Sequence, residues 1–211
     1  LRTWQAHMVA HELPYKQIYS YLGIMEALSG ASVDVSFISF DDIINDGVPE
    51  GVDVIINAGD AGTSFSGGEV WKNETLITRI REFVYNGGGF VGVGEPTAVH
   101  HQGRFFQLGD ILGVEREMGY SLSTDKYFTK ELKEHFIIED IEDVHKIDFG
   151  ENIKNVYGLT SATEVLEFSN PKVSAGGVEE GIVLPANAEG KEFGEIHLAA
   201  NPYGKGRGVY I

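Results

Sequence analysis

The run Asn86-Gly87-Gly88-Gly89-Phe90-Val91-Gly92-Val93-Gly94-Glu95-Pro96 joins a helix end, a short apolar strand and a sharp turn. Gly87 stands where a helix C-cap takes a left-handed residue, because only glycine adopts positive φ without a Cβ clash. Phe90 to Val93 is too short for a helix and apolar enough for a strand buried on both faces, as in a parallel sheet. Gly92 and Gly94 allow an abrupt turn, and Pro96 suits that turn or the first turn of a following helix. Strand, glycine-rich turn and helix in succession mark the ligand crevice of an open α/β sheet. Glu95 at that crevice is placed to hold a sugar hydroxyl or a base. The plainer uses of the same carboxylate are to cap the next helix or to satisfy backbone donors of the turn.

Upstream, Leu76, Ile77, Ile80, Phe83 and Val84 form the apolar stripe of a helix ending at Asn86. Either Ser66-Gly67-Gly68-Glu69, with capping-box spacing, or Asn73 starts it. Val52 to Asn57 reads as a strand leading into a glycine- and serine-rich loop, Ala58 to Gly68, that carries Asp60 and faces the same crevice. Asp41 is expected to cap a helix packed through Ile43 and Ile44. Val33 to Ile38 alternates as a strand, and Ile18, Tyr21, Leu22, Met25 and Leu28 follow helical spacing from Gln17 to a stop at Gly30. Downstream, a short helix is expected through Phe105, Leu108, Ile111 and Leu112.

This alternation is that of a doubly wound, flavodoxin-like α/β sheet. After Gly119 the texture changes to strand-like pieces punctuated by Gly, Pro and Asn: 155–158, 163–168, 181–184, 195–199 and 208–211. They are expected to form an antiparallel edge and the last strands of the same sheet. Asn170-Pro171 and Asn201 to Gly206 read as turns. With no repeat or linker, residues 1–211 read as a single domain.

The formal charge is −16, from 16 Lys and Arg against 32 Asp and Glu. Nucleic-acid binding, which needs a basic footprint, is excluded on that ground. An anionic substrate would need a local basic pocket from Arg2, Arg79, Arg81, Arg104, Arg116 or Arg207. No apolar run approaches the ~18 residues of a membrane span, and no signal peptide opens the chain, so a cytoplasmic location is the expectation. The Asn73-Glu74-Thr75 triplet is read as a chance glycosylation match. The chain contains no cysteine, so disulfides and thiol catalysis are both ruled out. It opens on Leu1 and stops at Ile211 within a strand-like run, which reads as a piece of a longer polypeptide.

Several constellations are candidates for chemistry. His7 and His11, four apart, share a helical face as a zinc pair does, but no third ligand is near and the segment lacks the His-Glu-x-x-His pattern. An interface or packing against Trp4 is the simpler use, and no metal is assigned. His100, His101 and Arg104 form the most basic cluster beside the turn and suit a phosphate or a solvated surface. Lys205 and Arg207 lie between glycines as solvated charges on a hairpin. No phosphate loop, dinucleotide fingerprint or paired-carboxylate spacing stands out.

The run from Phe90 to Pro96 resembles the Gly-x-Cys-x-Gly elbow of the glutamine amidotransferase fold, with Gly94 where the cysteine nucleophile would stand. A second resemblance covers the whole chain. Leu1 to His11, Phe37 to Ile43, Phe90 to Pro96, Asp125-Lys126-Tyr127, Ile147 to Gly150 and Gly204 to Ile211 resemble the middle domain of the 1,3-β-galactosyl-N-acetylhexosamine phosphorylases, the lacto-N-biose or galacto-N-biose phosphorylases. That resemblance implies a class I glutamine amidotransferase-like domain of a multidomain hexosyltransferase whose N-terminal barrel carries the general acid. The implied parent cleaves β-galactosyl-(1,3)-N-acetylhexosamine disaccharides with phosphate, inverting to galactose 1-phosphate, without a metal or organic cofactor. The implied role of this chain is non-catalytic: it packs on the barrel, helps to wall the active site or assists homodimer formation. No catalytic residue transfers to it; if it touches substrate, His7, His11 and Glu95 are the candidates. Two other readings stay open. One is a pure oligomerisation scaffold, as in a similar domain of some β-galactosidases. The other is a self-contained sugar-binding or hydrolytic domain built on Glu95 and His100.

Overall fold

A computed structural model of the chain describes residues 14–59, 66–101, 104–116, 135–141, 156–159, 164–169 and 195–211. Helix α1 (Pro14–Ser29) and helix α2 (Phe40–Asp46) lead to strand β1 (Val54–Gly59). A 3-10 turn (Gly68–Lys72), helix α3 (Glu74–Tyr85) and strand β2 (Gly89–Gly94) follow. Strands β3 (Ala98–His101) and β4 (Arg104–Phe106), helix α4 (Gly109–Leu112) and strand β5 (Val114–Arg116) come next. After a 3-10 turn (Phe136–Ile138) come β6 (Val156–Gly158), β7 (Glu164–Ser169), β8 (Glu195–Tyr203) and β9 (Gly206–Tyr210).

The main sheet is mixed and open, with the order β1-β2-β9-β8-β7. β2 runs parallel to both β1 and β9, with Gly92 in register with Asn57 on one side and Tyr210 on the other. β8 is antiparallel to both β9 and β7, as expected for the C-terminal strands. Two small antiparallel pairs, β3 with β4 and β5 with β6, complete the described strands.

Helix α3 forms because Asn73 accepts hydrogen bonds from the N–H groups of Thr75 and Leu76, at 2.9 and 3.1 Å. Its residues Leu76, Ile80 and Val84, four apart, are buried on one face. They meet Trp71, Phe90, Phe106, Ile111 and Tyr210 in one core cluster. Full burial of each such side chain contributes about 1.5–3 kcal/mol. Gly208 lets α4 approach the sheet, since a Cβ there would lie 2.1 Å from the carbonyl oxygen of Ile111.

The structure corrects several local expectations. Val33 to Ile38 forms no strand and joins no ladder among the described residues, and Val33, Val35 and Phe37 stay exposed. Ser39, not Asp41, caps α2: its hydroxyl accepts from Asp42 N–H while the Asp42 carboxylate accepts from Ser39 N–H, a reciprocal box. Asn73 rather than Ser66 caps α3: the segment after Ser66 is a separate 3-10 turn with no side-chain cap, and the Ser66 carbonyl receives the Trp71 indole N–H. The turn after β2 leads into the β3–β4 hairpin, not a helix, and the expected helix from Phe105 shrinks to Gly109–Leu112. Phe105 and Phe106 are instead strand residues held by Glu115. Asn201 to Tyr203 belong to β8, so the hairpin turn is only Gly204-Lys205.

Candidate functional site

The candidate crevice lies at the C-terminal ends of β1 and β2, where Gly59 and Gly94 are in register. Gly94 has φ 77° and Gly59 φ 122°, both conformations that favour glycine. The Gly94 N–H donates to the Ile211 carbonyl at 2.8 Å, and its own carbonyl accepts the Tyr210 hydroxyl at 3.1 Å. Glu95 N–H donates to the Gly59 carbonyl at 3.0 Å. The backbone donors of the turn are thus satisfied by main-chain carbonyls of the neighbouring strands, and no helix follows for Glu95 to cap.

The Glu95 carboxylate instead meets the guanidinium of Arg116, with side chains 13% and 24% exposed respectively. The Arg116 guanidinium also lies over the Phe105 ring, 4.7 Å from its centroid. Beneath it, Glu115 is buried, and one carboxylate oxygen accepts the N–H groups of Phe105, Phe106 and Arg116 at 3.2, 2.7 and 2.9 Å. Thr97 is fully buried with φ 60°, a left-handed conformation that costs a branched residue about 1–3 kcal/mol. Its hydroxyl accepts from Leu108 N–H at 3.3 Å and its carbonyl from Gln107 N–H at 3.1 Å, which hold the strained turn.

The arrangement therefore offers a carboxylate neutralised by a guanidinium, backed by an aromatic ring. It suits hydrogen bonding to neutral hydroxyl groups, because the carboxylate's charge is already matched by the guanidinium. Gly94, in the turn that ends β2, brings no nucleophile.

Of the candidates from sequence, Glu95 is in this crevice. His7, His11 and Asp60 lie outside the described residues. The backbone sets His101 opposite Arg104 across the β3–β4 hairpin. Arg207 is not a solvated hairpin charge: it is half-buried, with Nη1 2.7 Å from Nε2 of His135 and its guanidinium 5.8 Å from the Phe136 ring centroid. The sequence reading named Arg116 only as one of several cations and missed Glu115. Their signal was the pair of charged residues that closes the run Ile111-Leu112-Gly113-Val114. Among the described residues, no group of three or more His, Asp or Glu side chains could hold a metal. No described helix is long and apolar enough to cross a membrane. A shallow depression lined by Glu74, Thr75, Thr78, Arg79 and Glu82 follows α3 and shares no residue with the turn.

Residues 1–211 match the family model described as the lacto-N-biose phosphorylase central domain. A 1,3-beta-galactosyl-N-acetylhexosamine phosphorylase of Lachnoclostridium phytofermentans is 45% identical over 212 residues, covering 100% of this chain and 26% of that protein. The Bifidobacterium longum subsp. longum protein of the same name is 43% identical over 229 residues, covering 100% of this chain and 29% of that one. A D-galactosyl-beta-1->4-L-rhamnose phosphorylase of L. phytofermentans is 32% identical over 212 residues, covering 100% and 25%. The chain thus spans about a quarter of the length of these relatives, and it belongs to the family of lacto-N-biose phosphorylase central domains.

Proposed function

We propose that this chain is the non-catalytic, amidotransferase-like central domain of a larger cytoplasmic phosphorylase. The parent cleaves β-galactosyl-(1,3)-N-acetylhexosamine disaccharides with phosphate, with inversion, to galactose 1-phosphate. The domain packs on the parent's catalytic barrel. The observation that carries this reading is the match along the whole chain to relatives named as 1,3-beta-galactosyl-N-acetylhexosamine phosphorylases, at 45% and 43% identity. The identity to the rhamnose-named relative is lower, at 32%, which favours an N-acetylhexosamine acceptor. The crevice agrees with a non-catalytic role, since Gly94 stands at the elbow and Glu95 is held by Arg116.

Any direct contact with sugar is assigned to Glu95, His7 and His11, as hydrogen-bonding groups only. The test is Glu95→Gln in the full-length parent, with phosphorolysis of galactosyl-β-1,3-N-acetylglucosamine as the readout. A kcat within about twofold of the unchanged enzyme is expected, with any effect confined to KM. A kcat loss beyond about 100-fold in a correctly assembled enzyme would place chemistry in this domain and overturn the proposal.

A further inference from the structure

Two consecutive residues of β5 join the three described sheets at the crevice. Arg116 reaches the Glu95 carboxylate, in the turn that closes β2 of the five-stranded sheet. Glu115 reaches β4, a strand that has no ladder with β5 among the described residues, and accepts the N–H groups of Phe105 and Phe106. The two side chains thus act on one junction from either side.

Glu115 is 5% exposed, and burying a charged group is costly unless hydrogen bonds replace its water. One of its oxygens takes three, from Phe105, Phe106 and Arg116. An ionised acceptor suits this place, because bonds to it are roughly twice as strong as those to a neutral one. Two of the donors belong to the residues that frame the guanidinium: Arg116 itself, and Phe105, whose ring centroid lies 4.7 Å from the guanidinium carbon. The third reaches the same turn by packing. The Phe106 ring lies 5.8 Å from that of Tyr210, whose hydroxyl donates to the carbonyl of Gly94, the residue before Glu95.

We propose that Glu115 is a positioning residue for the crevice: it fixes β4 and Arg116 so that the guanidinium holds the Glu95 carboxylate in one orientation, presented to a sugar hydroxyl. This rests on the reading of Glu95 as a group through which the domain contacts sugar. A carboxylate offers about four acceptor sites, so pairing with a guanidinium does not exhaust it. An acceptor that swings weakens the hold on the sugar and leaves the chemical step alone, so its loss is read in KM.

The test is kinetic, on the full-length parent with galactosyl-β-1,3-N-acetylglucosamine and phosphate. Glu115→Gln keeps the volume and an acceptor oxygen but removes the charge. It is expected to raise KM for the disaccharide at least about threefold, with kcat within about twofold of the unchanged enzyme. A merely structural role lowers the amount of folded enzyme, and so the apparent kcat, at constant KM. In a Glu95→Gln background, adding Glu115→Gln is expected to raise KM no further, because the group it positions is already gone. Arg116→Met breaks the same chain one link later and predicts the same KM rise, which keeps the test open if Glu115→Gln folds poorly. An unchanged KM in either folded single variant, or additive effects in the double variant, would overturn the proposal. A parent without phosphorolysis sinks the phosphorylase reading and this role with it, whereas an active parent whose KM ignores Glu115 and Arg116 sinks the positioning role alone.

Discussion

The Glu95 carboxylate, in the turn that closes β2, pairs with the Arg116 guanidinium at the end of β5, and so ties the main sheet to a separate two-stranded one. The pair is partly buried, which sets its energetics: it is screened less than a surface pair, and breaking it leaves a poorly solvated charge.

Arg116→Met is therefore expected to cost about 1–3 kcal/mol, below the 3–5 of a fully buried pair because both side chains keep some solvent contact. Thermal unfolding of the parent measures it. If the cost comes from the stranded carboxylate, adding Glu95→Gln recovers part of the loss, and a double-mutant cycle reads the coupling.

Asn201 on β8 donates from Nδ2 to the carbonyls of Asp110 and Ile111, at 3.0 and 3.1 Å, and so satisfies the end of α4 from a strand 90 residues away. The site is 5% exposed. Asn201→Leu leaves those acceptors without this donor, at a cost of about 1–3 kcal/mol. A shift in the urea midpoint with an unchanged slope is the expected signature.

Two glycines should fail for different reasons. At Gly208 an added Cβ meets the Ile111 carbonyl at 2.1 Å, backbone that cannot swing away. Gly208→Ala is expected to yield little folded protein. At Gly87 there is open space, but φ is 126°. Gly87→Ala should cost only backbone strain, about 1–3 kcal/mol, and remain folded. Soluble yield and melting temperature distinguish the two, and equal behaviour would contradict this account.

Burial pushes the pKa of His197 below its ordinary value of 6.5, because desolvation disfavours the imidazolium. As pH falls through 6.5, the unfolded chain takes up a proton that the folded chain does not. Stability at this site therefore drops with falling pH until the folded pKa is reached, and levels off below it. His197→Gln should flatten that part of the profile between pH 7.5 and the folded pKa. Urea unfolding across this range, compared between the two proteins, checks the sign.

The local grammar of the chain was legible from sequence because its causes are local. The α3 stripe, the Asn73 cap, the Gly87 stop and the short β2 strand follow from periodicity and φ preference within a few residues. The helix–strand–helix–strand run from α2 to β2 and the antiparallel pairing of β8 could be read in the same way, but the hairpin that replaces the expected helix after β2 could not. The segment Val33 to Ile38 alternates like a strand, but a strand needs a neighbour, and none of the described residues supplies one.

What only tertiary structure decided are the contacts made across long stretches of chain. β9 lies against β2 because Gly206 and Gly208 let it pass close under α3 and α4, a fit that no local pattern encodes. The partner of Glu95 is Arg116 because the β3–β4 hairpin, where a helix was expected, folds β5 back toward the turn. Composition sets which charges exist; the three-dimensional path of the chain decides which of them meet.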